Sequence, residues 1–141
     1  MKALLTLFAC LSVSIAIAQT QKPTAKPAAK PAAPAKAPGQ IIYEQNCLTC
    51  HQANGSGVPN LNPPLKGTEW VLGDKTRLVN VLLKGLQGQD IEGEPYDNAM
   101  PAHDFLDDQQ IADVLTYIRS NFGNKASAIT ADEVKAVRAT K

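Results

Sequence analysis

Cys47-Leu48-Thr49-Cys50-His51 has the spacing C-x-x-C-H, and the spacing occurs once in the chain. On a helix, residues three apart project from the same side about one turn apart. Cys47 and Cys50 are therefore placed to form thioether bonds to two vinyl groups on one edge of a porphyrin. His51 follows at once, so its imidazole is placed to ligate the iron from the proximal side. The motif predicts one covalently attached haem c. Two other chemistries use paired cysteines. A thioredoxin-like redox pair needs a strand–helix–strand setting, and no convincing run of alternating strands occurs. A structural zinc site needs four ligands. Beyond the N-terminal segment the only Cys and His residues are Cys47, Cys50, His51 and the distant His103, with no second paired motif.

Working outward, the 141 residues suffice for one small domain plus extensions, and aromatic residues make up only 5%. So few large rings leave limited apolar surface to bury; a buried porphyrin would supply what the side chains lack. Residues 1–18 read as a signal peptide: Lys2, an apolar run from Ala3 to Ile15, and an A-x-A cleavage site at Ala16-Ile17-Ala18. Export to the periplasm, with cleavage, is expected. Cys10 would leave with the signal, and Cys47 and Cys50 would be the cysteines of the mature chain. Residues 19–38 are a Pro/Ala/Lys-rich linker with nothing to make a core, partly polyproline II in character. It would tether the domain within reach of a partner or of an anionic membrane surface, or serve as a leader with no specific role.

Charge divides across this boundary. Lys2, Lys22, Lys26, Lys30 and Lys36 precede Gln40, so 14 − 5 = 9 basic residues face 13 acidic ones from Gln40 onward, a net charge of −4. An acidic domain is steered towards a basic protein surface and away from nucleic acid, and the same balance equally suits a merely solvated surface.

The domain, residues 39–126, reads as all-α: helices joined by loops. Gln40 to Cys50 is expected as a first helix. His51 to Trp70, with its glycines and prolines, is expected to be irregular. Asp74 can cap a helix running to about Leu86, apolar on much of its circumference and hence buried, with Gly85 and Gly88 loosening and ending it. Gln89 to Asp104 is a polar loop. Asp107 and Gln110 resemble a capping box opening a helix to Phe122, with Ile111, Val114, Leu115 and Ile118 on one face and Gly123 as its stop. Residues 127–141 form a short C-terminal helical extension, opened by a second capping box at Thr130 and Glu133. In the polar loop, Met100 is the one methionine of the mature chain and belongs to no core stripe. Its neutral thioether suits the sixth position of the iron and would raise the reduction potential. Pro101 stiffens the chain beside it. The other candidate is His103.

These features together resemble a class I c-type cytochrome, a monohaem electron carrier, over about Gly39 to Asn124. Gly39, Tyr43 and Cys47 stand at that family's glycine–aromatic–cysteine spacing. Val114 and Tyr117 stand where its last core helix crosses the first. Pro63-Pro64-Leu65-Lys66-Gly67 resembles its P-x-L-x-G segment. There a proline carbonyl accepts the proximal histidine's N–H, which would give Pro63 the role of orienting His51; the sequence leaves Pro64 open. Met100-Pro101 matches its axial-methionine motif. Trp70-Val71-Leu72-Gly73 and Leu115-Thr116-Tyr117-Ile118-Arg119 are also similar to cytochrome modules that accompany periplasmic dehydrogenases.

The resemblance implies a small cytochrome c fold wrapped around one haem. It implies a periplasmic carrier moving one electron at a time between a dehydrogenase and a respiratory acceptor such as an oxidase. No residue is assigned a catalytic role: Ser56 has no base beside it, and Asp107 and Asp108 serve the start of a helix. Two rivals stand against the free carrier. One is a haem protein with an open iron position that binds a gas or peroxide. The other is an electron-transfer subunit held permanently in a complex.

Overall fold

The computed structural model describes residues 35–140. The expected signal peptide and most of the expected linker lie outside the described residues. Among those described there are six helices and no strand. The β-type pairing consists of three isolated bridges, Val58 with Asn62, Leu86 with Met100, and Ile91 with Glu94. No described helix is long and apolar enough to cross a membrane.

The helices are α1 (Pro38–Asn46), α2 (Leu48–His51), α3 (Glu69–Leu72), α4 (Lys75–Lys84), α5 (Asp108–Ser120) and α6 (Ala131–Ala139). The expected first helix is bent into α1 and α2. Cys47 (φ −117°, ψ −29°) closes one and opens the other. Its N–H still bonds Tyr43 O at 2.9 Å, and its carbonyl accepts from His51 N at 2.9 Å. The backbone bonding thus continues through the bend. At the end of the stretch expected to be irregular, Glu69 and Trp70 begin the single turn α3. Thr68 caps it, its Oγ1 accepting from Val71 N at 3.3 Å. Helix α4 ends at Lys84, just short of Leu86, because Gly85 turns the chain at φ +76°. Leu86 is thereby released to pair with Met100. Helix α5 ends two residues before Phe122, and both expected capping boxes are present, at Asp107–Gln110 and Thr130–Glu133.

The core is aliphatic: Val79, Ile111, Val114, Leu115 and Val134 are fully buried, together with the ring of Tyr43. Each such side chain contributes about 1.5–3 kcal/mol on leaving water. Helix α1 crosses α5 closely because Gly39 has no side chain; a Cβ there would lie 2.0 Å from Asp113 O. Beside the crossing, Tyr43 packs on Tyr117 (5.5 Å between ring centroids) and on Phe122 (5.2 Å). Phe122, at φ +57°, leaves the helix to complete this trio. Helix α6 packs on α4 and α5 through Val134.

Candidate haem-binding site

His51 ends α2 and is 7% exposed. Its Nδ1 lies 3.0 Å from Pro63 O. A carbonyl only accepts, so Nδ1 carries the proton and Nε2 keeps its lone pair for a metal. Of the two prolines the sequence left open, Pro63 makes this contact. Burial lowers the His51 pKa below its usual 6.5, the Pro63 carbonyl opposes that shift, and nearby His103 adds to it. The ring is therefore a neutral ligand at neutral pH. Burial likewise pushes the Cys47 thiol up to about 11, with Cys50 adding a smaller contribution, and Cys50 is exposed.

The loop that supplies Pro63 is tied at several points. Gly57 N donates to His51 O (3.1 Å), and Leu65 N to Gly55 O (2.8 Å). Tyr43 Oη donates to Gln52 O at 2.6 Å. Asn124, 5% exposed, fastens the loop to the end of α5: its Nδ2 donates to Leu65 O (2.9 Å) and Ile118 O (2.8 Å), and its Oδ1 accepts from Gly67 N (2.8 Å). Sequence reasoning missed Asn124, and also Arg119. That guanidinium is 3% exposed and is satisfied by backbone carbonyls, including those of Ser127 (2.7 Å) and Gly73 (3.3 Å).

On the other side stands the loop before α5. Met100 N donates to Leu86 O (2.8 Å) and Leu86 N to Met100 O (3.0 Å). Three residues on, His103 N donates to Leu82 O (2.7 Å), and its Nδ1 donates to Pro101 O (2.9 Å). Two cavities open between the two sides. The outer, about 100 Å³, is lined by Cys50, His51, Pro63, Leu86, Met100 and His103 among others. The inner, about 50 Å³, has Cys47, Val71, Leu82, Leu115 and Ile118 in its walls and again meets His51, Met100 and His103. The two cysteines thus border different lobes, and His51 stands between them. An aliphatic inner lobe, a mostly apolar outer lobe edged by a few polar groups and a neutral imidazole at their junction fit a flat, mostly apolar macrocycle bound by its edge and ligated at its centre. Among the described residues, no three His, Cys, Asp or Glu side chains converge as a separate metal-binding group.

Fold and site together define a class: small all-α proteins built around a covalently attached haem. Comparison with known proteins agrees. Residues 36–122 match the Cytochrome c family. Cytochrome c-552 of Thermus thermophilus is 40% identical over 113 residues, covering 73% of this chain and 86% of that protein. The gluconate 2-dehydrogenase cytochrome c subunit of Pantoea cypripedii is 36% identical over 107 residues, which are 71% of this chain but 24% of the subunit. The alcohol dehydrogenase (quinone) cytochrome c subunit of Gluconacetobacter polyoxogenes is 39% identical over 105 residues, 72% of this chain and 22% of the subunit. The chain belongs to the cytochrome c family. The family binds haem c covalently, and Cys47 and Cys50 stand in its attachment stretch. Its members are electron carriers and not catalysts.

Proposed function

We propose that the protein is a periplasmic one-electron carrier, with His51 and Met100 as axial ligands, that takes electrons from a dehydrogenase and delivers them to a respiratory acceptor. The observation that carries the reading is that His51 and Met100 line both lobes of the same cavity. When bound, the haem supplies a ferric/ferrous couple. The residues of the chain do the rest. Pro63 O orients His51 and keeps its Nε2 free. The paired backbone bonds of Met100 and Leu86 fix the loop that presents the thioether. The aliphatic wall excludes water from the inner face. A site held this firmly in both oxidation states reorganises little. The dehydrogenase partner is supported by the two dehydrogenase cytochrome subunits named above; the periplasmic setting is supported by the signal-like residues 1–18 and the tethering linker.

The test is an optical spectrum of wild type and Met100→Ala, oxidised, reduced, and reduced under carbon monoxide. A closed site gives a low-spin wild type indifferent to carbon monoxide, and a variant with altered ferric spin state and lower potential. A variant with unchanged spectrum and potential overturns Met100 as ligand. A wild type that binds carbon monoxide readily moves the protein to the open-iron reading.

A further inference from the structure

Arg138, in the last turn of α6, is not needed to close that helix, yet its guanidinium is fully engaged. Nη1 donates to Asp104 O (3.1 Å), Nη2 to Leu106 O (2.8 Å) and Nε to Asp108 Oδ1 (2.7 Å). All three acceptors lie in the five residues that lead from the Met100 loop into α5. The pair is partly sheltered, with 29% of the Arg138 and 31% of the Asp108 side chain exposed. The same five residues connect back to Met100. Leu106 N donates to His103 O (3.1 Å), and His103 N donates to Leu82 O. Leu106 is itself buried and lines the inner lobe together with Met100. The loop from Pro101 to Leu106 belongs to no helix. It is held at its start by the Leu86–Met100 bridge, in its middle by Leu82, and at its end by Arg138. A planar guanidinium can grip two carbonyls and a carboxylate at once; a lysine ammonium at the same place lacks the fork.

We propose that Arg138 is a positioning residue for the distal ligand: by clasping residues 104–108 it limits the excursion that would take Met100 off the iron. The inference rests on the reading of Met100 as ligand. It gives the C-terminal extension a role at the haem, although none of its side chains lines either lobe of the cavity. Displacing the Met100 loop strains the contacts that hold it, since Leu106 N bonds His103 O and His103 N bonds Leu82 O. Any ligand from solution binds in proportion to the population with the loop displaced. Loosening the clasp raises that population.

The experiment uses the ferric holoprotein, full chain. Imidazole is titrated in, and loss of the charge-transfer band characteristic of a thioether on ferric haem is followed. Four variants are compared with wild type: Arg138→Gln, Arg138→Lys, Asp108→Asn and Lys75→Ala. The last cuts the Lys75–Glu133 pair (2.9 Å), which ties α6 to α4 away from the Met100 loop, and so loosens α6 without loosening the clasp. Arg138→Gln should bind imidazole about tenfold more tightly than wild type. Arg138→Lys and Asp108→Asn should show smaller increases, and Lys75→Ala should match wild type. If Arg138→Gln does not fold, the Lys and Asn variants decide. Equal increases in the Arg138 variants and Lys75→Ala would reduce Arg138 to general support of α6 and overturn the inference. So would wild-type affinity in the Arg138 and Asp108 variants. A wild type without the thioether band overturns the Met100 reading and takes the inference with it; a wild type with the band isolates the outcome to Arg138.

Discussion

Position 39 has no room for a side chain. A Cβ there would meet Asp113 O at 2.0 Å, Asp113 C at 2.6 Å and Tyr117 Cβ at 2.8 Å. Two of these are backbone atoms, so relief requires α1 and α5 to separate. Alanine would gain at most about 1 kcal/mol of helix propensity, and less in a first turn. Overpacking at a helix crossing costs about 1–3 kcal/mol. The clash wins, and Gly39→Ala should lower the denaturant midpoint of the holoprotein; an equal or higher midpoint would show that the crossing tolerates a methyl. The residue was legible only through the resemblance, because Gly39, Tyr43 and Cys47 stand at the cytochrome c family's glycine–aromatic–cysteine spacing. His51, Cys47 and Cys50 needed no resemblance, since C-x-x-C-H is a local spacing. Asn124 had no such signal. Its three hydrogen-bond partners, Leu65, Gly67 and Ile118, come together only when the loop folds against the end of α5, and nothing near position 124 announces them.

The caps of α5 and α6 were legible because a capping box is written within four residues. The ends of α4 and α5 were legible to within two residues, through Gly85 and Gly123, and tertiary contacts set the rest. At Gly85 a Cβ would lie 2.5 Å from Met100 O, so the helix stops where the Met100 loop must approach. At Phe122 the chain turns so that the ring can reach Tyr43 and Tyr117. The α6 cap makes a pH prediction. Lys75 Nζ and the Thr130 N–H hold the Glu133 carboxyl below its usual 4.5. The unfolded chain therefore binds a proton more readily than the folded one. The contribution of Glu133 is complete above pH 4.5 and is lost as pH falls through the lowered value. The group is well exposed, so the effect is about 0–1 kcal/mol. Glu133→Gln should be slightly less stable than wild type at neutral pH, and the two should converge in acid. Unfolding midpoints measured across a pH series check this; a constant difference down to pH 3 would remove Glu133 as the titrating group.

At the scale of the molecule, charge is unevenly placed. Between Lys84 and Arg119 there is no Lys or Arg, while Asp90, Glu92, Glu94, Asp97, Asp104 and Asp107 fall in the same interval. That interval contains the Met100 loop and much of the outer lobe's lining. Several cations elsewhere are already paired, Lys75 with Glu133 and Arg77 with Glu69, so they do little to offset it. This polarity could be counted in the sequence. That it borders the mouth of the cavity could not, because the cavity is assembled from both halves of the chain. Phe105, 69% exposed, projects within the acidic interval, its ring 5.7 Å from that of His103. An electron-transfer partner meeting this side would encounter negative potential around an apolar centre. Such a field accelerates the approach of cations and is screened over about 10 Å at 0.1 M salt. A cationic metal-complex reagent should therefore exchange electrons with the haem faster at low ionic strength and slow as salt is added. An anionic reagent of matched driving force should do the reverse. Stopped-flow rates for the two reagents over a salt series measure the sign directly. Opposite slopes place the site of electron exit on the acidic side, whereas parallel or flat slopes would mean that electrons leave through a surface the carboxylates do not border.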